Sequence, residues 1–192
     1  MILPVVSVGN SVLRKKCKEV DEQHPGLDTL IDNMWDTLYA ADGAGLAAPQ
    51  VGMDLRIFLA DSKTSYKYLD EDEREWFIGD KGITETFINP VITSRSQETW
   101  SDDEGCLSIP GIWDEVERPL TITIEYYDRN FEKQVKEYSG KTARVIQHEY
   151  DHLEGILFSD YLSPLKKRMI NGRMRKISEG KVKTRYQMKY AV

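Results

Sequence analysis

The amino-acid sequence predicts an α+β fold, with antiparallel or mixed β-sheets packed around a central helix that carries an HExxH array and with a further helix near the C-terminus. Three observations predict it. Residues 120–126 alternate, placing Ile122, Ile124 and Tyr126 on one face and Thr121, Thr123 and Glu125 on the other, the period of a half-buried strand. Residues 141–155, KTARVIQHEYDHLEG, space Ala143, Ile146, Tyr150 and Leu153 as one helical face. Residues 163–177 open on Ser163 and Pro164, which suit the N-cap and first position of a second long helix. A length of 192 residues is enough for one buried core and leaves little room for two, so residues 1–192 are expected to form a single domain.

In chain order, Gly9 and Asn10 mark a turn before a short helical stretch at 11–16. Leu27, Leu30, Ile31, Met34 and Leu38 recur at three and four, predicting a helix that enters at Pro25 and ends near Ala41. The segment GAGLAAPQ at 43–50 reads as a tight loop whose small residues let backbone approach closely, and its Gln50 could aim an amide at a bound carbonyl. A strand is expected at 55–60, then a polar surface excursion at 61–82 with the acids Asp70, Glu71, Asp72, Glu73 and Glu75, anchored at most by Trp76 and Phe77. Residues 86–92 form another strand candidate, with Pro90 favouring its margin, and 98–101 an edge strand. The stretch EGCLSIPG at 104–111 reads as a loop that leaves Cys106 free to face a metal or substrate, although an isolated cysteine is more often a small buried hydrophobe. Asp128 and Asn130 turn the chain back into a polar strand at 131–138, completing a hairpin. Ser139 is placed to cap the central helix and Gly155 to end it. The final helix should pack through Leu165, Met169, Ile170 and Met174, and the last dozen residues read as mobile.

Composition narrows the function classes. No apolar run is long enough to span a membrane, and the start of the chain lacks the pattern of an export signal. Two cysteines give no disulfide framework, so a reducing, cytoplasmic setting is expected. The net charge of -6 conceals an asymmetry: residues 163–192 hold ten Lys or Arg against the single acid Glu179. Such a basic segment could dock on nucleic acid or a ribonucleoprotein, or simply be a solvated helix face.

The chemistry concentrates at His148, Glu149 and His152. Two imidazoles four residues apart on a helix project from one face and can share a metal ion, while a neighbouring carboxylate moves a proton. A hydrolytic site of this kind wants three protein ligands and an open position. No histidine follows His152, Glu154 lies too close in the same helix, and His24 stands at the start of an early helix. The array alone therefore leaves the third ligand open, and with it three readings: a metallopeptidase cutting internal bonds, a binding protein with a structural metal, and histidines that merely pack or cap a helix.

Three separated stretches, GAGLAAPQ at 43–50, EGCLS at 104–108 and QHEYDHLEG at 147–155, resemble in order and spacing the three motifs of the peptide deformylase family, and the similarity extends over nearly the whole chain. The acidic region at 61–82 is the main departure. The resemblance implies a deformylase-like catalytic domain spanning 1–192 that removes the formyl group from N-formylmethionyl nascent peptides and releases formate. It implies Cys106, His148 and His152 as metal ligands and Glu149 as general base and then acid to a metal-bound hydroxide. Gln50 and the Leu107 N–H would stabilise the oxyanion. Gly43, Ala44, Gly45, Glu104, Arg144, Val145 and His148 would form the methionine pocket, the Arg144 guanidinium reaching Glu104 or solvent. Trp113 stands near where some relatives place a basic residue close to the peptide. The implied cofactor is one divalent ion, Fe(II) natively, with Zn, Ni or Co as substitutes. The implied partners are the nascent peptide and, through the basic C-terminal segment, the ribosome, with no membrane and no sequence-specific nucleic acid.

Overall fold

The computed structural model describes residues 1–66 and 80–191. The expected acidic run and its anchors Trp76 and Phe77 lie outside the described residues.

Helix α1 spans Leu27–Ala40 and presents Leu27, Ile31, Met34 and Leu38 inward. Its N-cap is Gly26, in the left-handed conformation, so Pro25 stands before the helix rather than in its first turn. Strands β2 (Gly45–Ala47), β3 (Ile57–Asp61), β4 (Thr84–Arg95), β7 (Thr121–Tyr127) and β8 (Lys133–Ser139) form one antiparallel sheet in the order β2-β3-β4-β7-β8. The segment read as a tight loop thus contributes β2 and a following turn of 3-10 helix, Ala48–Val51. Pro90 does not end β4. It lies where the β4–β7 register shifts between Ile88 and Val91, an irregularity that tolerates a residue without an N–H.

The two faces of this sheet are both apolar, and each takes one helix. Leu46, Ile57, Leu59 and Ile88 pack with α1. Phe58, Phe87, Ile122, Ile124 and Tyr126 pack with Ala143, Ile146 and Leu153 of helix α3, Gly140–Leu153. A single helical turn, α2, spans Lys63–Tyr66.

A second antiparallel pair joins β5 (Thr99–Cys106) to β6 (Ile109–Pro119). The sequence reading foresaw only a short edge strand and a loop here. Instead Cys106 closes β5, and Leu107 and Ser108 make the turn. Ile109, Ile112 and Val116 pack beneath it with Leu157, Phe158, Leu162 and Ile177.

Helix α4, Pro164–Ser178, is capped by the Ser163 side chain accepting from the Lys166 N–H. Its expected apolar stripe does not pack as a whole: Leu165 and Met169 are 67% and 73% exposed, and only Ile177 is buried. The helix seats through its last two turns, where Ile170, Met174 and Ile177 reach the β6 cluster. The end of the chain is also not free. Strand β9 (Met188–Lys189) pairs in parallel with β1 (Val5–Val6). No helix among the described residues is long and apolar enough to cross a membrane.

Candidate metal centre

Helix α3 delivers three groups to one place. His148 and His152 lie one turn apart on one face, Ala143, Ile146 and Leu153 face the core, and Glu149 stands on the flank between them, against Gly45 of β2. Strand β5 delivers the fourth. Between Gly105 and Cys106 the β5–β6 register shifts, so Cys106 opposes Ile109 at the end of the ladder and its thiol sits 3.3 Å from His152 Nε2.

The donor atoms of Cys106, His148 and His152 all lie within 4.8 Å of one another. Donors bound at roughly 2.0–2.3 Å to one ion sit about 3–4 Å apart, so the cluster fits a single metal. The candidate ligand set is one cysteine sulfur and two imidazoles drawn from two elements, not an HExxH helix acting alone. His148 Nδ1 is 2.9 Å from a Glu104 oxygen, which leaves Nε2 to face the site. His152 is buried, and its Nδ1 has no hydrogen-bond partner.

Glu104 is the centre of a buried charge network. It accepts two hydrogen bonds from Arg118 and one from Arg144, at 2.7 Å, besides the contact with His148. Arg118 also donates to Asp151, at 2.8 Å, and lies over the Tyr161 ring. Arg144 donates to the carbonyls of Val116 and Trp100 and stacks on the Trp100 ring at 4.1 Å. Its guanidinium does reach Glu104. Burial alone would raise the Glu104 pKa, but the hydrogen bonds from Arg118 and His148 overcome that and hold the carboxyl well below the usual range. Burial lowers both imidazoles; at His148 the Cys106 and Glu104 contacts reverse the shift, whereas at His152 the His148 charge deepens it.

Glu149 is buried with an unpartnered Oε2, and desolvation pushes its carboxyl up to about 7 against the lowering effect of His148. Gly45 makes its place possible: a Cβ there would lie 2.5 Å from Glu149 Oε1. Gln50 is also buried. Its Oε1 accepts the Ala47 N–H at 2.7 Å, which turns Nε2 toward Cys106 Sγ at 3.5 Å and Ser108 Oγ at 3.4 Å.

A cavity of about 720 Å³ opens onto these groups. Gly43, Ala44, Gly45, Gln50, Glu104, Cys106, Leu107, Arg144, Val145, His148 and Glu149 all line it; His152 does not, being buried behind. The sequence reading missed Arg118, Asp151, Ser108 and a wall formed by residues 183–186. Asp151 stood within the third motif and could have been flagged; Arg118 and Tyr186 belong to no motif.

The polypeptide deformylase family model matches residues 2–168. The chain belongs to this family. Full-length relatives include a peptide deformylase of Christiangramia forsetii, 50% identical over 99% of this chain and 96% of the relative. One of Flavobacterium psychrophilum is 47% identical over 98% and 97%. Among solved structures, a peptide deformylase from Ehrlichia chaffeensis superposes with a TM-score of 0.81 at 34% identity, covering 94% of this chain and 97% of that one. One from Legionella pneumophila gives 0.78 at 35%, covering 94% and 98%. Family membership makes the cluster of Cys106, His148 and His152 the candidate site of a divalent metal in a metal-dependent enzyme.

Proposed function

We propose that the chain, as one catalytic unit, removes the formyl group from N-formylmethionyl nascent peptides and releases formate. The observation that carries this reading is that the Cys106, His148 and His152 cluster, the buried Glu149 carboxyl and the oriented Gln50 amide meet at one cavity. Cys106, His148 and His152 would hold the ion, with Fe(II) assigned as native and Zn, Ni or Co as substitutes that the same donors accept. When bound, it supplies Lewis acidity, lowering the pKa of water and polarising a carbonyl.

The protein's own groups do the rest. Glu149, raised by desolvation toward neutrality, takes a proton from the attacking water and returns it to the departing amine. Gln50 Nε2, fixed because its oxygen is engaged by Ala47, donates to the oxygen of the formyl group as negative charge develops, together with the Leu107 N–H. Gly43, Ala44, Gly45 and Val145 supply small and apolar wall for the methionine side chain. Arg144 and Glu104 satisfy each other, so they shape that wall rather than presenting free charge to it.

A structural metal would have no use for a buried carboxyl with an unpartnered oxygen beside it. Formate release from a formyl-Met-Ala-Ser peptide, set against the unformylated peptide, tests the reading. Glu149→Gln should lower kcat by roughly 10²–10⁴-fold with metal content unchanged. Cleavage of the unformylated peptide, or a variant as fast as the parent, would refute it.

A further inference from the structure

The family match ends at residue 168, yet the chain beyond it returns to the site. After α4 it turns at Gly180, where a Cβ would meet the Tyr190 ring at 3.0 Å. Val182 then joins the apolar cluster that includes Ile109 and Ile177, residues 183–186 line the cavity, and β9 locks onto β1. The segment is therefore a strap pinned on both sides of its passage across the site. At mid-passage the Tyr186 hydroxyl donates to the Leu107 carbonyl at 2.7 Å, and Thr184 Oγ1 donates to the Tyr186 carbonyl at 2.7 Å.

Leu107 and Ser108 form the turn that follows the register shift at Cys106. A turn at a broken ladder has fewer interstrand bonds to fix it than a regular one. Its other ties among the described residues include the Val8 N–H on the Ser108 carbonyl, at 2.9 Å, the Ser108 hydroxyl beside Gln50, and the Leu107 side chain packed against the α1 cluster. We propose that Tyr186 is a positioning residue, whose phenol holds this turn so that the Leu107 N–H is fixed at the oxyanion position. The proposal rests on the deformylase reading above. An oxyanion donor acts only if it is oriented before the charge develops, so a bond that fixes its turn acts on rate rather than on substrate affinity.

Tyr186→Phe removes the hydroxyl and leaves the ring. In the full chain with its metal quantified, kcat for formate release should fall roughly 5- to 30-fold while KM stays within about twofold, as expected for one hydrogen bond felt in the transition state. Exchange of the Val8 amide, whose acceptor is Ser108, should quicken roughly fivefold, while the Ser7 amide, bonded to Lys189, keeps its rate. An unchanged kcat overturns the proposal. So does a joint rise of Ser7 and Val8 exchange with loss of metal, because Tyr186 would then only fasten the strap. A parent protein that releases no formate would refute the deformylase reading instead, and the two amides would still decide whether Tyr186 holds the turn.

Discussion

The antiparallel hairpins β7–β8 and β5–β6 are built on opposite plans. In β7–β8 every residue from Thr121 to Tyr127 pairs without a break against Ser139 to Lys133. Its inward side is Ile122, Ile124 and Tyr126, and its charged pair, Lys133 with Glu125, stands in solvent. In β5–β6 the ladder runs regularly from Thr99 to Gly105 and then slips, so that Cys106 faces Ile109. Its buried residues include Glu104 and Arg118 beside Ile112 and Val116. The first hairpin secures a core through shape, which needs no directional partner. The second gives up a regular register to aim a thiol, and it must satisfy each charge that it buries.

The largest test of that contrast removes one carboxylate from each. Glu104→Ala would leave Arg118 and Arg144 buried beside a missing partner, and breaking a buried pair in this way costs about 3–5 kcal/mol. Urea unfolding should show that loss. Glu125→Ala, on the regular hairpin, should leave the urea midpoint where it is, because surface pairs contribute little. Equal effects would mean that the charge network is not what holds β5–β6.

The same contrast explains what the sequence could reveal. Alternation in 120–126 and helical spacing in 141–155 are local patterns, and the strand Thr121–Tyr127 and the helix Gly140–Leu153 appear within a residue or two of them. His148, Glu149 and His152 were legible because their geometry is internal to one helix. Strand β6 was not: its burial alternates from Ile112 to Arg118, but Asp114 and Arg118 take inward positions while Trp113 is exposed, so the residue types trace no apolar face. Arg118 reads as a surface cation until Glu104 and Asp151 are brought to it from fourteen and thirty-three residues away. The stripe on α4 misled because periodicity reports what a helix could bury, and only its C-terminal end meets a partner surface. The strap was invisible for a similar reason: β9 is two residues long, and Tyr186 finds Leu107 across 79 residues of sequence.

A smaller change sharpens the comparison from the regular side. Ile124 is fully buried between the sheet and α3 and is not among the residues that line the cavity. Ile124→Val removes one methylene and should cost about 0.5–1.5 kcal/mol in unfolding free energy. The rate of formate release per bound metal should not move. A drop in kcat would show that the β7–β8 core tunes the site through α3, which the division into two plans does not allow.

The smallest effect returns to β5–β6, at its solvent edge. Asp114 pairs with Lys166 of α4 at 2.5 Å, and the hydrogen bond from Lys166, with a lesser one from the Glu115 N–H, lowers its pKa. The folded-state pKa thus lies below the unfolded value of about 3.9, so the carboxylate's contribution is whole above that value and fades as pH falls through the folded one. Asp114→Asn should therefore lower Tm at pH 7 by roughly a degree or less, the scale of a screened surface pair. The difference should vanish in acid and also in about 1 M salt, where the screening length is near 3 Å. A loss at pH 7 as large as that of Glu104→Ala would mean that the network extends from the buried hub to the surface. On the geometry it stops short, because Glu104 and Arg118 are closed off from water, and the ion-pair partner of Asp114 among the described residues is Lys166 of the helix beside it.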